Sequence, residues 1–328
     1  MPKPQKNQAM RPLLWIGIPA LLAVIFSGYL IYIGSQNPAE RNADPNSRQL
    51  IFARESLYNN IYIYRQGPYV SMTFGFNRKI YTESIFNTKD ELDLPVAYTR
   101  YMTAGLIYPK NIHSILEIGF GGGRTAWYLH KYLPDVPVTS VELDPAIVKL
   151  AHQYFGIEDE PNFKVATEDG RKFLTNSKDR YDMILVDAYR GPFVPFHLLT
   201  KEFYQTVKDH LADGGVVAQN VEPSTMLFDS AVATIRSVFP NVDFYLADGN
   251  VVTIAYDGTG KTPDELAAMA KQRQGELKLR YDLTQLLAQR RPFAADKISG
   301  DAKILTDDFA PVETLKAIES HNRKWTEQ

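Results

Sequence analysis

The sequence predicts an α/β protein built on a doubly wound, mostly parallel sheet, with a small N-terminal β-meander and an N-terminal transmembrane helix. Three observations support this prediction. Strands and helices alternate from residue 113 onwards, short runs of β-branched and aromatic residues precede them, and residues 12–34 carry no charge. Strands that alternate with helices of about ten residues are typical of a parallel sheet covered on both faces. Ligands of such sheets bind at the carboxyl ends of the strands.

Composition excludes several classes of protein. The 328 residues are 45% hydrophobic and 23% charged, as in an ordinary core-forming chain. A net charge of -2 argues against a nucleic-acid partner, which normally requires a basic surplus. The chain has no cysteine, so disulfide scaffolds, thiolate zinc sites and cysteine nucleophiles are excluded. We predict no metal site.

The apolar run at 12–34 is long enough to span a membrane, since about 20 apolar residues cross the hydrocarbon core. Trp15 lies near one end, and Tyr29 and Tyr32 lie near the other, where amphipathic rings favour the headgroup zone. The alternative is a cleaved signal peptide, whose apolar region is about 7–15 residues and ends in a small-residue cleavage site. Residues 35–38 offer no such site, so an uncleaved anchor is favoured.

The predicted elements divide the chain into segments. These are a basic tail at 1–11, the transmembrane helix at 12–34, a polar linker at 35–50, a β-rich domain at 51–108, the main α/β domain at 109–258 and a helical tail at 259–328. In the β-rich domain, strands are expected at 60–64, 69–74 and 78–82. In the main domain, strands are expected at 114–118, 138–143, 162–167, 181–186, 215–219, 243–246 and 251–256. Helices are expected at 124–133, 146–155, 200–211 and 225–238, and a capping box at 262–265 opens the tail.

A glycine-rich turn follows the first strand of the main domain. Ile115–Gly123 runs from strand through the acidic Glu117 to a turn of several glycines and then into a helix. Glycines let the backbone approach a ligand closely, and the following helix N-terminus supplies unpaired N–H groups. Taken alone, this pattern is also that of a tight turn with no ligand.

Acidic residues stand at or near the ends of four consecutive strands of the predicted sheet: Glu117, Glu142, Asp169 and Asp187. A carboxylate in the place of Glu142 accepts the hydroxyls of a ribose, and Asp169 is placed to meet an adenine edge. The loop has no phosphate-binding lysine. A rim rich in carboxylates would repel a dinucleotide, which remains an alternative, and would suit a cationic nucleoside such as a sulfonium.

Residues 56–313 resemble the spermidine synthase (polyamine aminopropyltransferase) family and its class I methyltransferase-like relatives. The resemblance is carried by the stretches 56–61, 90–91, 116–123, 141–144, 168–173, 187–199, 214–219 and 306–311. It implies a Rossmann-like, nucleoside-binding main domain and a transferase that uses decarboxylated S-adenosylmethionine or S-adenosylmethionine.

The resemblance also implies residue roles. Cofactor contacts are expected from Glu117, Gly119, Gly121, Gly123, Glu142, Asp169 and Gly170. Asp187 matches the carboxylate that accepts the proton of the attacking amine, with Tyr58 and Tyr98 beside it. The acceptor side is expected to include Tyr189, His197 and Gln219.

Departures from the family pattern concern the acceptor. Arg190 stands where the family has a second acid after Asp187, Arg100 replaces another acid, and Asn59 replaces a glutamine. Two lost carboxylates and two gained guanidiniums would weaken diamine binding. The sequence therefore favours an anionic or neutral acceptor, or a modified amine, over putrescine.

Three functional hypotheses follow. The first is a membrane-anchored aminopropyltransferase, with Asp187 as the base. The second is an S-adenosylmethionine-dependent methyltransferase, for which Arg124 beside the glycine turn would bind the cofactor carboxylate. The third is a non-catalytic nucleoside-binding protein.

Three basic residues on each side of the apolar run leave its orientation in the membrane open. Adenosyl sulfoniums are made in the cytosol, so a cytoplasmic catalytic domain is expected. A homodimer is a further possibility.

Overall fold

The computed structural model describes residues 46–76, 79–191, 193–223, 227–247, 249–292 and 302–308. The predicted transmembrane helix at 12–34 and most of the predicted linker lie outside these ranges. Within them, no helix has both the length and the apolar character that crossing a bilayer requires. The anchor at 12–34 therefore stays a prediction.

The N-terminal sheet is a four-stranded antiparallel meander. Its strands, in spatial order, are β1 Gln49–Glu55, β2 Asn60–Gln66, β3 Tyr69–Phe76 and β4 Lys79–Asn87. The predicted meander is confirmed for β2 to β4, where alternate residues such as Ile61 and Ile63 are buried on one face. The sequence analysis missed β1, whose first two residues were assigned to the linker. All seven β1 residues are exposed or only partly buried, so the strand shows no alternation of buried and exposed side chains.

The main sheet of the described chain has eight strands. They are β5 Ile115–Ile118, β6 Val138–Glu142, β7 Phe163–Thr167, β8 Tyr181–Val186, β9 Leu211–Val221, β10 Asn241–Ala247, β11 Asn250–Tyr256 and β12 Arg290–Pro292. Their order is β12-β10-β11-β9-β8-β5-β6-β7. Strands β5 to β9 pair in parallel, as predicted, and β10 to β12 add an antiparallel edge. The tail predicted to be helical thus also supplies a strand, β12.

The helices that the structure describes lie between and after these strands. They are α1 Ala97–Met102, α2 Arg124–Tyr132, α3 Pro145–Tyr154, α4 Gly170–Asn176, α5 Lys201–Asp209, α6 Phe228–Val238, α7 Pro263–Leu277 and α8 Leu283–Leu287. Short 3-10 helices occupy Thr103–Ile107 and Phe196–Leu198. The capping box predicted at Thr262 is present, since its side chain accepts from the Glu265 N–H and the Glu265 carboxylate accepts from the Thr262 N–H. The short helix α4 was not predicted.

Two hydrophobic cores, one on each face, cover the main sheet. Along β8, Met183 and Leu185 belong to one core, whereas Ile184 and Val186 belong to the other. Because successive side chains of a strand point to opposite faces, this division shows that both faces are buried. The doubly wound architecture is therefore confirmed.

The strand order creates a crevice next to β5. From β5 the chain moves outwards to β6 and β7, and it then returns to the other side of β5 to form β8. Connections leave the carboxyl ends of β5 and β8 in opposite directions, which opens a crevice between them. The candidate site lies there.

Candidate active site

A cavity of about 600 Å³ lies at the carboxyl ends of the parallel strands. Its walls come from the segments that follow β5, β6, β7 and β8, and the N-terminal sheet contributes Phe74, Glu83 and Ser84. This volume lies within the range of small-molecule sites, about 300–1,000 Å³. Of the residues predicted for the site, it brings together Tyr58, Tyr98, Gly119, Gly121, Glu142, Asp169, Gly170, Asp187, Tyr189 and His197.

The glycine turn needs glycine for its conformation and its packing. Gly119 has a φ of 92°, and a Cβ on it would lie under 3.0 Å from the backbone of Asp187 and Ala188. The turn therefore passes directly against the segment after β8. Gly122 N–H donates to Ser84 Oγ over 2.8 Å, which joins the turn to the N-terminal sheet.

Glu142, at the end of β6, is held beside the glycine turn by backbone donors. Its Oε2 accepts from the N–H groups of Phe120 and Gly121 over 3.1 and 3.2 Å. Its Oε1 accepts from Asp144 N–H over 2.9 Å. Burial raises the pKa of Glu142, and these bonds oppose that shift. The carboxylate is thus fixed in one orientation on the cavity wall.

Asp169 joins the segments after β7 and β8. Its Oδ1 accepts from Lys172 N–H over 2.9 Å at the start of α4, and its Oδ2 lies 2.9 Å from His197 Nε2. The bond to His197 is the main reason why the pKa of Asp169 lies below its ordinary value. Asp169 and His197, assigned to the cofactor and acceptor sides from the sequence, are therefore direct partners.

Asp187 follows β8 and lines the cavity. Its Oδ1 accepts from Asn220 Nδ2 over 3.0 Å, and it is hydrogen-bonded to Tyr98. Burial raises the pKa of Asp187 to about 7, although both bonds favour the ionised form. A carboxylate with a pKa in this range can accept a proton at neutral pH and release it again.

Three tyrosines, Tyr58, Tyr98 and Tyr189, line the cavity together with Asp187. Burial raises the pKa values of Tyr98 and Tyr189 well above the ordinary value, so both phenols stay protonated. Tyr189 donates to the Asn220 carbonyl oxygen over 3.0 Å. Tyr58 is more open, with 37% of its surface exposed.

Three residues predicted for the site do not line this cavity. Glu117 lies in the buried interior of β5, where its Oε2 accepts from Ser140 Oγ over 2.7 Å. Gly123 precedes α2 with a φ of 70°, and the Phe120 ring occupies the space that its Cβ would need. Gln219 is fully buried and its Oε1 accepts from Tyr204 Oη over 2.7 Å. Each of the three packs against or hydrogen-bonds to a residue of the protein interior and does not reach the cavity wall.

Two residues of the site were missed. Asn220, the neighbour of Gln219, reaches Asp187 because consecutive strand residues point to opposite faces. Glu83 lines the cavity from β4, and its Oε1 is buried with no hydrogen-bond partner in the described part of the chain. The predicted strand ended at Thr82, so Glu83 was not considered.

The arginines expected in the pocket behave differently from one another. Arg190 is exposed and lines the cavity, as does Asn59. Arg100 does not line it, because its Nε donates to the Leu94 carbonyl oxygen over 2.6 Å and its guanidinium stacks 4.9 Å from the Tyr281 ring centroid. The expectation of two guanidiniums in the acceptor pocket is therefore wrong for Arg100.

Arg124 is likewise turned away from the main cavity. It is buried, its Nη1 donates to the Phe155 carbonyl oxygen over 2.8 Å and its Nη2 donates to the Glu91 carbonyl oxygen. Its guanidinium also stacks 4.5 Å from the Phe86 ring centroid. The guanidinium that the methyltransferase hypothesis assigned to a cofactor carboxylate is therefore engaged by these contacts instead.

Comparison with known proteins shows which families the chain is similar to. Residues 96–251 match the family model described as the spermine/spermidine synthase domain. The chain is spermidine synthase-like. Its spermidine synthase-like domain includes β5 to β9, the glycine turn and Asp187, and the N-terminal sheet that carries Glu83 precedes it.

Curated relatives of this spermidine synthase-like chain are transferases. A polyamine aminopropyltransferase of Vibrio vulnificus is 28% identical over 284 residues, which cover 81% of this chain and 91% of the relative. A probable polyamine aminopropyl transferase of Bifidobacterium longum is 33% identical, covering 62% of this chain and 49% of the relative. An eEF1A lysine and N-terminal methyltransferase of Bos taurus is 29% identical, covering 51% of this chain and 27% of the relative.

Solved structures share the fold. A probable spermidine synthase from Corynebacterium glutamicum superposes with a TM-score of 0.62 at 18% identity, covering 80% of this chain and 98% of that protein. Human methyltransferase-like protein 13, solved with SAH, superposes with a TM-score of 0.50 at 23% identity, covering 62% of this chain and 98% of that protein. The spermidine synthase-like chain thus has a methyltransferase-like fold.

Proposed function

We propose that this protein transfers an aminopropyl group from decarboxylated S-adenosylmethionine to an amine acceptor. The position of Asp187 is the observation that carries the proposal. It is a carboxylate with a pKa of about 7, directly beside the glycine turn of a spermidine synthase-like domain. An ammonium must lose a proton before it attacks carbon, and a base of this pKa is suited to remove it.

The donor side of the cavity fits an adenosyl group. Glu142 presents a carboxylate held rigid by three backbone N–H groups, which suits the hydroxyls of a ribose. Asp169 at the next strand end would meet the adenine edge. The bound sulfonium supplies an activated carbon, and the protein contributes position, orientation and charge.

The acceptor side performs the proton transfer. Asp187 takes a proton from the acceptor ammonium, and the freed nitrogen lone pair forms a bond to the carbon next to sulfur. The carbon–sulfur bond breaks, its electron pair stays on sulfur, and a neutral thioether leaves. Asn220 and Tyr98 hold Asp187 in place through hydrogen bonds, while Tyr58 lies at the more open end of the site.

The choice of donor follows from charge. S-adenosylmethionine carries a carboxylate that its decarboxylated form lacks. Arg124 is engaged with two backbone carbonyl groups outside the main cavity, and Glu142 and Asp169 would repel a carboxylate. The decarboxylated donor is therefore favoured. Methyl transfer stays the second candidate because a curated methyltransferase is 29% identical over 186 residues.

The test is an assay of the full-length protein in detergent with each donor and a panel of amines, read by mass spectrometry. We expect an amine heavier by one aminopropyl group with the decarboxylated donor only. Asp187→Asn should abolish this product while donor affinity changes little. Asp213→Asn, an exposed carboxylate within β9, is the matched control and should keep full activity.

We also propose that residues 12–34 anchor the protein, with the catalytic domain on the cytoplasmic side. The support is a run of 23 residues without charge that carries aromatic residues near both of its ends. Extraction of cell membranes with alkaline carbonate should leave the protein in the pellet, whereas deletion of 12–34 should release it. Protease added to intact cells should not cleave the catalytic domain.

A further inference from the structure

The carboxylate of Glu83 has an unusual environment. Glu83 lies in β4 of the N-terminal sheet and contributes to the same cavity wall as Asp187. Its Oε1 is buried and accepts no hydrogen bond in the described part of the chain. Buried carboxylate oxygens in proteins are almost always hydrogen-bonded or paired, so this atom requires an explanation.

The charges near Glu83 make its environment unfavourable without a ligand. Burial is the main cause that raises its pKa well above the ordinary value, and the negative charges of Asp187 and Glu142 raise it further. Tyr98 and Tyr189 also face this group, and both are neutral phenols. Among the residues that the structure describes, no lysine or arginine forms an ion pair with Glu83. Arg124 lines an adjoining small recess with Glu83, but its guanidinium donates to the carbonyl oxygens of Phe155 and Glu91.

A purely structural role does not account for this arrangement. A carboxylate that stabilised the sheet would accept hydrogen bonds from neighbouring groups, as Glu142 does with three backbone donors. Glu83 instead lies near Asp187, and ionising both buried carboxylates together costs free energy. A cation placed between the two carboxylates would remove that cost.

We infer that Glu83 is an acceptor-binding residue whose carboxylate receives the ammonium group of the amine, opposite Asp187. This inference rests on the proposed function. Asp187 removes the proton from this ammonium, and Glu83 keeps the amine in place through charge and hydrogen bonding. Glu83 thereby takes over from the second acid that the sequence lacks at Arg190.

The substrate class changes accordingly. The sequence favoured an anionic or neutral acceptor, or a modified amine, over putrescine, because arginines stand where the family has two carboxylates. Arg100 is in fact bound to the Leu94 carbonyl group outside the cavity, and Glu83 adds a carboxylate inside it. Arg190 is exposed on the cavity wall, whereas Glu83 and Asp187 are buried carboxylates, so the buried part of the site favours a protonated primary amine over a carboxylate acceptor.

The test is steady-state kinetics of the full-length protein with the decarboxylated donor and the best amine of the panel. We compare wild type with Glu83→Gln, which removes the charge, and with Glu83→Asp, which keeps it. Glu55→Gln, an exposed glutamate in β1, is the matched control. For Glu83→Gln we expect KM for the amine to rise at least tenfold, the size of a lost charged hydrogen bond. Calorimetry should show donor Kd within about twofold of wild type.

Folding is checked separately. Because Glu83→Gln keeps the size of the side chain and removes a buried ionisable group beside Asp187, we expect a melting temperature equal to or higher than that of wild type. Glu83→Asp should recover part of the amine affinity. If wild type turns over amines and Glu83→Gln has an unchanged KM for the amine, the role of Glu83 is overturned and the proposed function stands. A lower melting temperature with equal loss of donor and amine binding would also overturn it, by showing a structural role. Absence of amine transfer by wild type would overturn the proposed function and this assignment together.

Discussion

Asn220 donates a hydrogen bond from Nδ2 to Asp187 Oδ1 over 3.0 Å. The amide is itself held, because Asn250 Nδ2 donates to Asn220 Oδ1 over 2.9 Å. Its oxygen is therefore engaged, and its NH₂ group faces the carboxylate. Neighbouring strands β9 and β11 thus determine which way the proposed base points.

The first prediction concerns the pH dependence of the wild-type enzyme. Since the pKa of Asp187 lies at about 7, the group is mostly protonated below pH 7 and cannot accept a proton. We expect kcat/KM to fall about tenfold per pH unit below that value and to level off above it. The measurement is kcat/KM for the amine from pH 5.5 to 9. A profile flat down to pH 5.5 would show that Asp187 is not the base.

The second prediction concerns Asn220→Ala. Its amide favours the ionised form of Asp187, so its removal raises the pKa of Asp187 and moves the acid limb of the profile to higher pH. A loss of about 1.4 kcal/mol of interaction corresponds to a tenfold lower kcat/KM at pH 6. Activity should recover at pH 8.5, where Asp187 is ionised. An equal loss at both pH values would argue against this role.

The third prediction concerns Gly119→Ala. A Cβ here would clash with the backbone after β8, and the φ of 92° is unfavourable for alanine. We expect at least a tenfold weaker donor Kd by calorimetry. Gly214→Ala is the matched control, because it has a φ of 73° and open space around its Cβ. It should lose only about 1–2 kcal/mol of stability and keep its donor affinity. Equal donor affinity in both variants would contradict the proposed packing of the turn.

The fourth prediction concerns Arg124→Met. The carbonyl groups of Phe155, which is buried, and of Glu91 would lose their donor, so we expect the free energy of unfolding to fall by about 2 kcal/mol in urea titrations. The preference between the two donors should not change. Arg65→Met, at an exposed position of β2, is the control and should be neutral. A selective loss of S-adenosylmethionine binding would restore the methyltransferase hypothesis.

The central sheet was predictable because its strands are buried on both faces. The run Tyr181–Val186 is buried throughout, and its predicted and observed bounds are identical. Elements that depend on weaker signals were missed. Strand β1 is largely exposed, β12 has three residues, and α4 has seven. Short or exposed segments lack the hydrophobic period that marks an element in a sequence.

The candidate site was predictable where it follows from topology. Acidic residues after parallel strands meet at one edge, which brought Glu142, Asp169 and Asp187 to one cavity. The prediction of which residue within a strand faces the site was less accurate. Gln219 was chosen in place of Asn220, and a shift of one residue exchanges the buried core face for the site. Glu83 comes from a separate sheet, so no pattern along the main domain indicated it.

The measurement that tests the central claim most directly is a single-turnover experiment with decarboxylated S-adenosylmethionine, a primary amine and full-length protein. Product is followed by mass spectrometry, with S-adenosylmethionine in a parallel reaction. The proposed function predicts an aminopropylated amine from the first donor, no methylated amine from the second, and loss of product in Asp187→Asn. Methylated product from the second donor alone, or unchanged turnover in Asp187→Asn, would contradict it.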